Sequence, residues 1–88
     1  MIVGKIVGSI IATRKNENLI GSKFLIVEPI QSMKNNENQL VAVDHIGAGI
    51  GDVVLVALGS AARIGCNMEK SPIDAAIVGI VDDGSELE

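Results

Sequence analysis

Apolar residues or glycines fill the even positions from Ile2 onward, at Ile2, Gly4, Ile6, Gly8, Ile10 and Ala12, while Lys5, Ser9 and Thr13 fall on the odd face. A period of two predicts a strand over residues 2–13. Gly4 and Gly8 share one face four residues apart, leaving room for a bend or for the close approach of another backbone. A strand this long and this curved suits a small barrel. The polar residues 14–18, Arg-Lys-Asn-Glu-Asn, predict a solvated loop, and Leu19-Ile20-Gly21 leads into the next element. Lys23-Phe24-Leu25-Ile26-Val27-Glu28 is nearly continuous in apolar residues, which predicts a strand covered in part on both faces, with Pro29 at its end or on an edge. Residues 33–38 are the most polar stretch, and their asparagines predict a hairpin loop.

Alternation returns at Leu40-Val41-Ala42-Val43-Asp44, followed by Gly47-Ala48-Gly49-Ile50-Gly51-Asp52 and then Val53-Val54-Leu55-Val56-Ala57-Leu58. Three glycines after an apolar strand invite comparison with a phosphate-binding loop. That device needs G-x-G-x-x-G spacing and a helix whose first amides face the pyrophosphate. Here the spacing is G-x-G-x-G and the sequel is β-branched, so the glycines are expected to turn the chain tightly between two buried strands. Gly49 in particular is expected to tolerate no β-carbon, so that valine there would disrupt folding or assembly.

Gly59-Ser60-Ala61-Ala62-Arg63 predicts a helix of one or two turns with Ser60 as its N-cap. Ser71-Pro72-Ile73-Asp74 is a second cap-like turn, and Ala75-Ala76-Ile77-Val78-Gly79-Ile80-Val81 is a buried strand ending at Asp82-Asp83-Gly84. The fold class that follows is all-β with one short helix, a small five-stranded OB-like β-barrel, because closure removes exposed strand edges. The helix falls between the fourth and fifth strands, whereas the usual OB order places it between the third and fourth. Residues 1–83 are expected to form this single domain, with 84–88 a frayed acidic tail.

Composition adds a need for cover. The apolar fraction is 48% with a mean hydropathy of +0.43, in a chain of 88 residues that must leave much of its surface exposed. Assembly into an oligomer would hide the surplus. No apolar run is long enough to span a bilayer, the first residues lack a signal-peptide layout, and the lone Cys66 has no internal disulfide partner. The expectation is a soluble protein of the cytoplasm. Net charge is −4 but unevenly placed: residues 1–34 hold five Lys/Arg against two Asp/Glu, and residues 35–88 two against nine. Unlike halves suit a head-to-tail meeting of copies.

Candidate chemistry is sparse. His45, the single histidine, follows Asp44 directly, and neighbours in a strand point to opposite faces, so the two do not make an oriented base. Ser60 is explained by capping without a nucleophile's role. His45, Cys66 and Met68 fall short of the four spaced ligands of a structural zinc site, and Asp74, Asp82 and Asp83 lack calcium-loop spacing. Binding of single-stranded nucleic acid needs stacking aromatics and a basic groove, and Phe24 is the one aromatic residue in a net acidic chain. No catalytic residue, metal ligand or cofactor site is therefore assigned. An OB-type binding module for nucleic acid or a small ligand is the alternative class.

The ordered set Gly4-Lys5-Ile6-Val7-Gly8, Ala12-Thr13-Arg14-Lys15, Leu19-Ile20-Gly21, Val41-Ala42-Val43-Asp44, residues 47–52, residues 59–63 and residues 72–82 resembles the pentameric vertex proteins of bacterial microcompartments, the small shell proteins of carboxysomes and of ethanolamine and propanediol compartments. Departures are confined to residues 33–39, residues 64–70 and Ala61, where the family often has serine. The resemblance implies a non-enzymatic shell protein, a homopentamer of OB-like barrels at the shell vertices, with hexameric shell proteins as partners. It implies neither nucleic acid nor membrane as a partner. It places the protein in the bacterial cytoplasm, within the shell, and favours a catabolic compartment over a carboxysome. In that setting Asp44, Gly47, Gly49, Gly51, Asp52, Ser60 and Arg63 are expected to shape the subunit contacts, with Arg63 pairing with Asp44 or Asp52 of its own or a neighbouring chain.

Overall fold

The computed structural model describes residues 1–11, 17–19, 21–34, 38–65 and 73–82. Five strands, β1 (Ile2–Ile10), β2 (Lys23–Pro29), β3 (Leu40–Asp44), β4 (Val53–Leu58) and β5 (Ala75–Ile80), are joined by one helix, α1 (Ser60–Gly65), and two short 3-10 turns, Glu17–Leu19 and Gln31–Met33. The strands close into a barrel in the order β1-β2-β3-β5-β4, with β4 returning to β1. All neighbours are antiparallel except β3 and β5, which run parallel and meet only at Val43 opposite Ala76 and Asp44 opposite Ile77.

The barrel interior is filled by Ile6, Leu25, Val27, Ala42, Val54, Val56, Ala75 and Ile77, with Ala48 of the β3–β4 connection among them. A second cluster lies on the other face of three of these strands: Val43, Ala57 and Ala76, with Ala62 of α1 and Ile73. Ala42 and Val43, Val56 and Ala57, and Ala75 and Ala76 are consecutive residues that enter different clusters, as the pleat requires. The near-continuous apolar runs of β4 and β5 thus have a cause: α1 packs on their outer face through Ala62, beside Val43 of β3. Six residues of helix have no stability of their own, so α1 is held by this packing. In β2, by contrast, burial alternates, with Leu25, Val27 and Pro29 inside and the residues between them only half-buried.

Gly4 is the close approach that the glycine spacing anticipates. A β-carbon there would lie 2.5 Å from Val27 Cγ1 and 2.8 Å from the Glu28 carbonyl oxygen, both on the facing strand. Pro29 ends β2 opposite Gly4, and the register between β1 and β2 shifts between Ile6 and Gly8, bending the strand. Beyond Pro29 the ladder is continued by Ile30, whose amide donates to the Val3 carbonyl, and by the Met33 thioether, which accepts the Val3 amide at 3.3 Å.

Two expectations are corrected. Residues 47–52 do join two strands with buried faces, but not by a tight turn: β5 lies between β3 and β4, and the segment crosses one end of the barrel. Ser60 is the first helical residue rather than the cap, and Gly59, at φ 63°, precedes it. β2 and β3 form the expected hairpin pair, although the loop's residues 35–37 lie outside the described residues. Residues 12–16, 66–72 and 83–88 also lie outside them, and with them Cys66, Met68 and the acidic tail.

Candidate assembly surfaces

The residues singled out in the sequence fall into two groups at different places on the barrel. The first is the connection from β3 to β4. Asp44 is 4% exposed, and its Oδ1 accepts the Ile46 amide at 3.1 Å while Oδ2 accepts the Ala48 amide at 3.0 Å. Lys23 supplies the opposing charge, with Nζ 3.7 Å from Asp44 Oδ2 and donating to the Ala48 carbonyl at 2.7 Å. Further along the segment, Asp52 Oδ2 accepts the amide of Gly49, three residues before it, at 2.9 Å, and the Asp52 amide returns to the Gly49 carbonyl at 3.0 Å. The segment is fastened to β1 by two bonds of 2.9 Å, from the Gly51 amide to the Ile6 carbonyl and from the Ile6 amide to the Asp52 carbonyl.

This wiring excludes a phosphate cradle by chemistry as well as by spacing. The amides of Ile46, Ala48, Gly49, Gly51 and Asp52 already donate to carboxylates and carbonyls of the protein. An anion would have to displace two carboxylates of its own sign. The loop instead buries Ala48 in the barrel and holds Ile46 and Ile50 outward, Ile50 at 69% exposure. Gly47 and Gly51 have φ of 87° and 96°, the region that favours glycine, whereas Gly49 does not, and a β-carbon on Gly49 would meet nothing within 4 Å. The expected intolerance at Gly49 is therefore not a property of the protomer; Gly47 and Gly51 carry the constraint.

The second group is α1 and the strand start beneath it. The Gly59 amide donates to the Asp74 carbonyl at 2.8 Å, and Arg63 donates from a guanidinium nitrogen to the Ile73 carbonyl at 2.9 Å. Arg63 thereby ties the helix to the entry of β5. The carboxylates of Asp44 and Asp52 belong to the other group, and Lys23, not Arg63, is the cation beside Asp44. Ser60 is exposed on the first turn. Sequence reasoning missed Lys23, for which only the strand register opposite Asp44 gives a signal, and that register requires the structure.

Asp44, the last residue of β3, is buried, and His45, the first residue beyond the strand, is exposed. Among the described residues, no group of three or more His, Cys, Asp or Glu side chains gathers to hold a metal ion. At the barrel end away from the glycine loop, α1 lies outside rather than across the opening. A groove of about 440 Å³ remains there, lined by Ile2, Pro29, Leu40, Val41, Leu58 and Ala75 among others.

A family model described as ethanolamine utilisation protein EutN/carboxysome matches residues 1–82. The bacterial microcompartment shell vertex protein GrpN of Rhodospirillum rubrum is 43% identical over 83 residues, covering 93% of each chain. The solved structure of the GrpN pentameric microcompartment shell protein superposes with a TM-score of 0.79, covering 94% of each chain. The carboxysome shell vertex protein CcmL of Synechocystis is 41% identical, covering 93% of this chain and 83% of its own. The shell vertex protein EutN of Salmonella typhimurium is 40% identical, covering 94% and 85%. With the match running through all five strands and the glycine loop, this chain belongs to the EutN/carboxysome vertex-protein family.

Proposed function

We propose that the chain forms a cyclic homopentamer that caps the vertices of a bacterial microcompartment shell in the cytoplasm, as a structural protein and not as an enzyme. The observation that carries this reading is the likeness, along nearly the whole chain, to a vertex protein solved as a pentamer. Geometry gives the role its reason: a layer of hexagonal tiles stays flat, and pentagonal units let it close. The partners are then hexameric shell proteins.

A closed ring requires a heterologous contact, in which two different patches of each subunit meet. The glycine-loop group, Asp44, Gly47, Gly49, Gly51 and Asp52, and the helix group, Ser60 and Arg63, sit on different parts of the barrel and are assigned to the two sides of that contact. Residues 1–83 act as one barrel domain, with 84–88 beyond it. The compartment is taken to be catabolic, on the similarity to GrpN and EutN. The CcmL identity lies between theirs, so co-assembly with hexamers of each compartment type decides the matter. An OB-type nucleic-acid module is disfavoured by the lone aromatic, Phe24, which is half-buried.

Native mass spectrometry tests the core of the proposal. A species of five chains is expected, and a strict monomer at micromolar concentration overturns it. Co-expression with shell hexamers should give closed particles only when this chain is present.

A further inference from the structure

Where β2 gives way to the Gln31–Met33 turn at the barrel mouth, one backbone amide loses the partner that a ladder would supply. Gly4 lies opposite Pro29, so the next rung of the antiparallel ladder sets Val3 opposite Ile30, and a regular rung would exchange two bonds between them. The first bond is made: the Ile30 amide donates to the Val3 carbonyl at 3.0 Å. The second is replaced. The Ile30 carbonyl closes the turn by accepting the Met33 amide at 2.9 Å, and the Val3 amide donates instead to Met33 Sδ at 3.3 Å.

A thioether is a weak acceptor, yet here it does the work of a carbonyl and ties the turn back to β1. The same side chain is 41% exposed and forms part of the wall of the barrel-mouth groove, beside Ile2, Leu40 and Leu58. An oxidisable atom open to solvent therefore holds a bond of the backbone ladder.

We propose that Met33 is a site of reversible oxidation to the sulfoxide by hydroperoxides, and that this oxidation unlatches the 31–33 turn from β1 and loosens the barrel mouth. One sulfur lone pair faces the Val3 amide, and the other is the nucleophile. It attacks the outer oxygen of hydrogen peroxide or an alkyl hydroperoxide. An S–O bond forms, the O–O bond breaks, the proton of the transferred hydroxyl passes to the departing oxygen, and water or an alcohol leaves. Sulfur gives up two electrons and the peroxide takes them. A thiol-dependent reductase reverses the step, two thiols becoming a disulfide while the oxygen leaves as water.

The consequence follows from distance. Oxidation drains the sulfur of the electron density that makes it an acceptor. The new oxygen is a strong acceptor, but it takes an amide at about 2.9 Å, and no atom fits between an amide and a sulfur 3.3 Å apart. The sulfur must retreat, and a dipole enters a wall of aliphatic side chains. The bond from Ile30 to Val3 and the Lys34–Glu28 ion pair at 3.8 Å remain, so the barrel stays closed while its mouth opens. This device goes beyond the vertex reading and depends on no contact between copies.

The test treats the parent protein, in the assembly it forms, with hydrogen peroxide and follows each methionine by peptide mass spectrometry. Met33 should gain one oxygen in the folded protein. With one lone pair engaged, one sulfoxide epimer should predominate there, so that one of the two epimer-specific reductases restores most of it; Met1, at 73% exposure, should give both epimers in near-equal parts. Amide exchange at Val3 should quicken about fivefold on oxidation and return on reduction, while exchange at Val27 in the barrel interior stays unchanged. Met33→Leu, which keeps the bulk and removes the acceptor, should show the fast Val3 exchange with or without peroxide. A Met33 that resists peroxide in the folded protein but not in urea overturns the site. A Met33 sulfoxide that forms as both epimers equally, or that leaves Val3 exchange unchanged, overturns the latch.

Discussion

Asp44 ends β3 with both carboxylate oxygens occupied by loop amides and a lysine from the neighbouring strand beside it. Removing it strands two donors, of which the Ala48 amide is buried, and leaves Lys23 without its counter-charge. Asp44→Ala is expected to cost about 3 kcal/mol, read as a lower urea midpoint with unchanged slope, and Asp44→Asn distinctly less because one acceptor survives. The glycines next to it are unequal. Gly47→Ala and Gly51→Ala should each cost about 1–2 kcal/mol, the penalty for a β-carbon at positive φ, while Gly49→Ala should stay within about 0.5 kcal/mol. Thermal midpoints of the three variants at one protein concentration check this ordering. The sequence showed three glycines in a row of alternate positions and no means of ranking them. Rank depends on φ, which is set by where the loop must cross the barrel end to meet Ile6, and that meeting is a long-range fact.

At the scale of elements, the strand pattern was legible because one face of each strand looks inward, and the period of two survives as burial at Gly4 and Ile6, alternating with exposed Lys5 and Val7. The helix was legible from Ser60, Ala61, Ala62 and Arg63. Its placement was not, since a six-residue helix carries too little periodicity to say which strands it covers. The doubled cores at Val43, Ala57 and Ala76 record the answer only once the barrel is assembled. Arg63 fixes α1 to Ile73, so Arg63→Ala should loosen the helix and the start of β5 together. The expected outcome is faster amide exchange at Gly59 and Ala62 and a stability loss of about 1–2 kcal/mol. If the helix group also forms one side of the ring contact, the same variant gives a ring more sensitive to dilution and salt; an unchanged ring with a loosened helix would confine Arg63 to the protomer.

For the whole molecule, the decisive quantity is exposed apolar surface. Ile11, Ile50 and Ile64 are each more than half exposed in the isolated chain, and burying aliphatic side chains of this size contributes about 1.5–3 kcal/mol apiece. Assembly therefore adds to the stability of each subunit by mass action. The thermal midpoint of the parent should rise with protein concentration, and Ile11→Glu should flatten that dependence; a concentration-independent midpoint in the parent would mean that the barrel stands alone.

The strand order has a consequence in time. β5 lies between β3 and β4, and the wall of the barrel-mouth groove includes Asp74 and Ala75. A chain emerging from the ribosome as far as Leu58 holds four strands of an open sheet with a gap that only the last strand fills. It cannot hold a finished groove until the segment through Ile80 has been made. Synthesis thus schedules closure: the barrel and the groove wall at Asp74 and Ala75 are completed last, so only a fully translated chain presents a finished subunit.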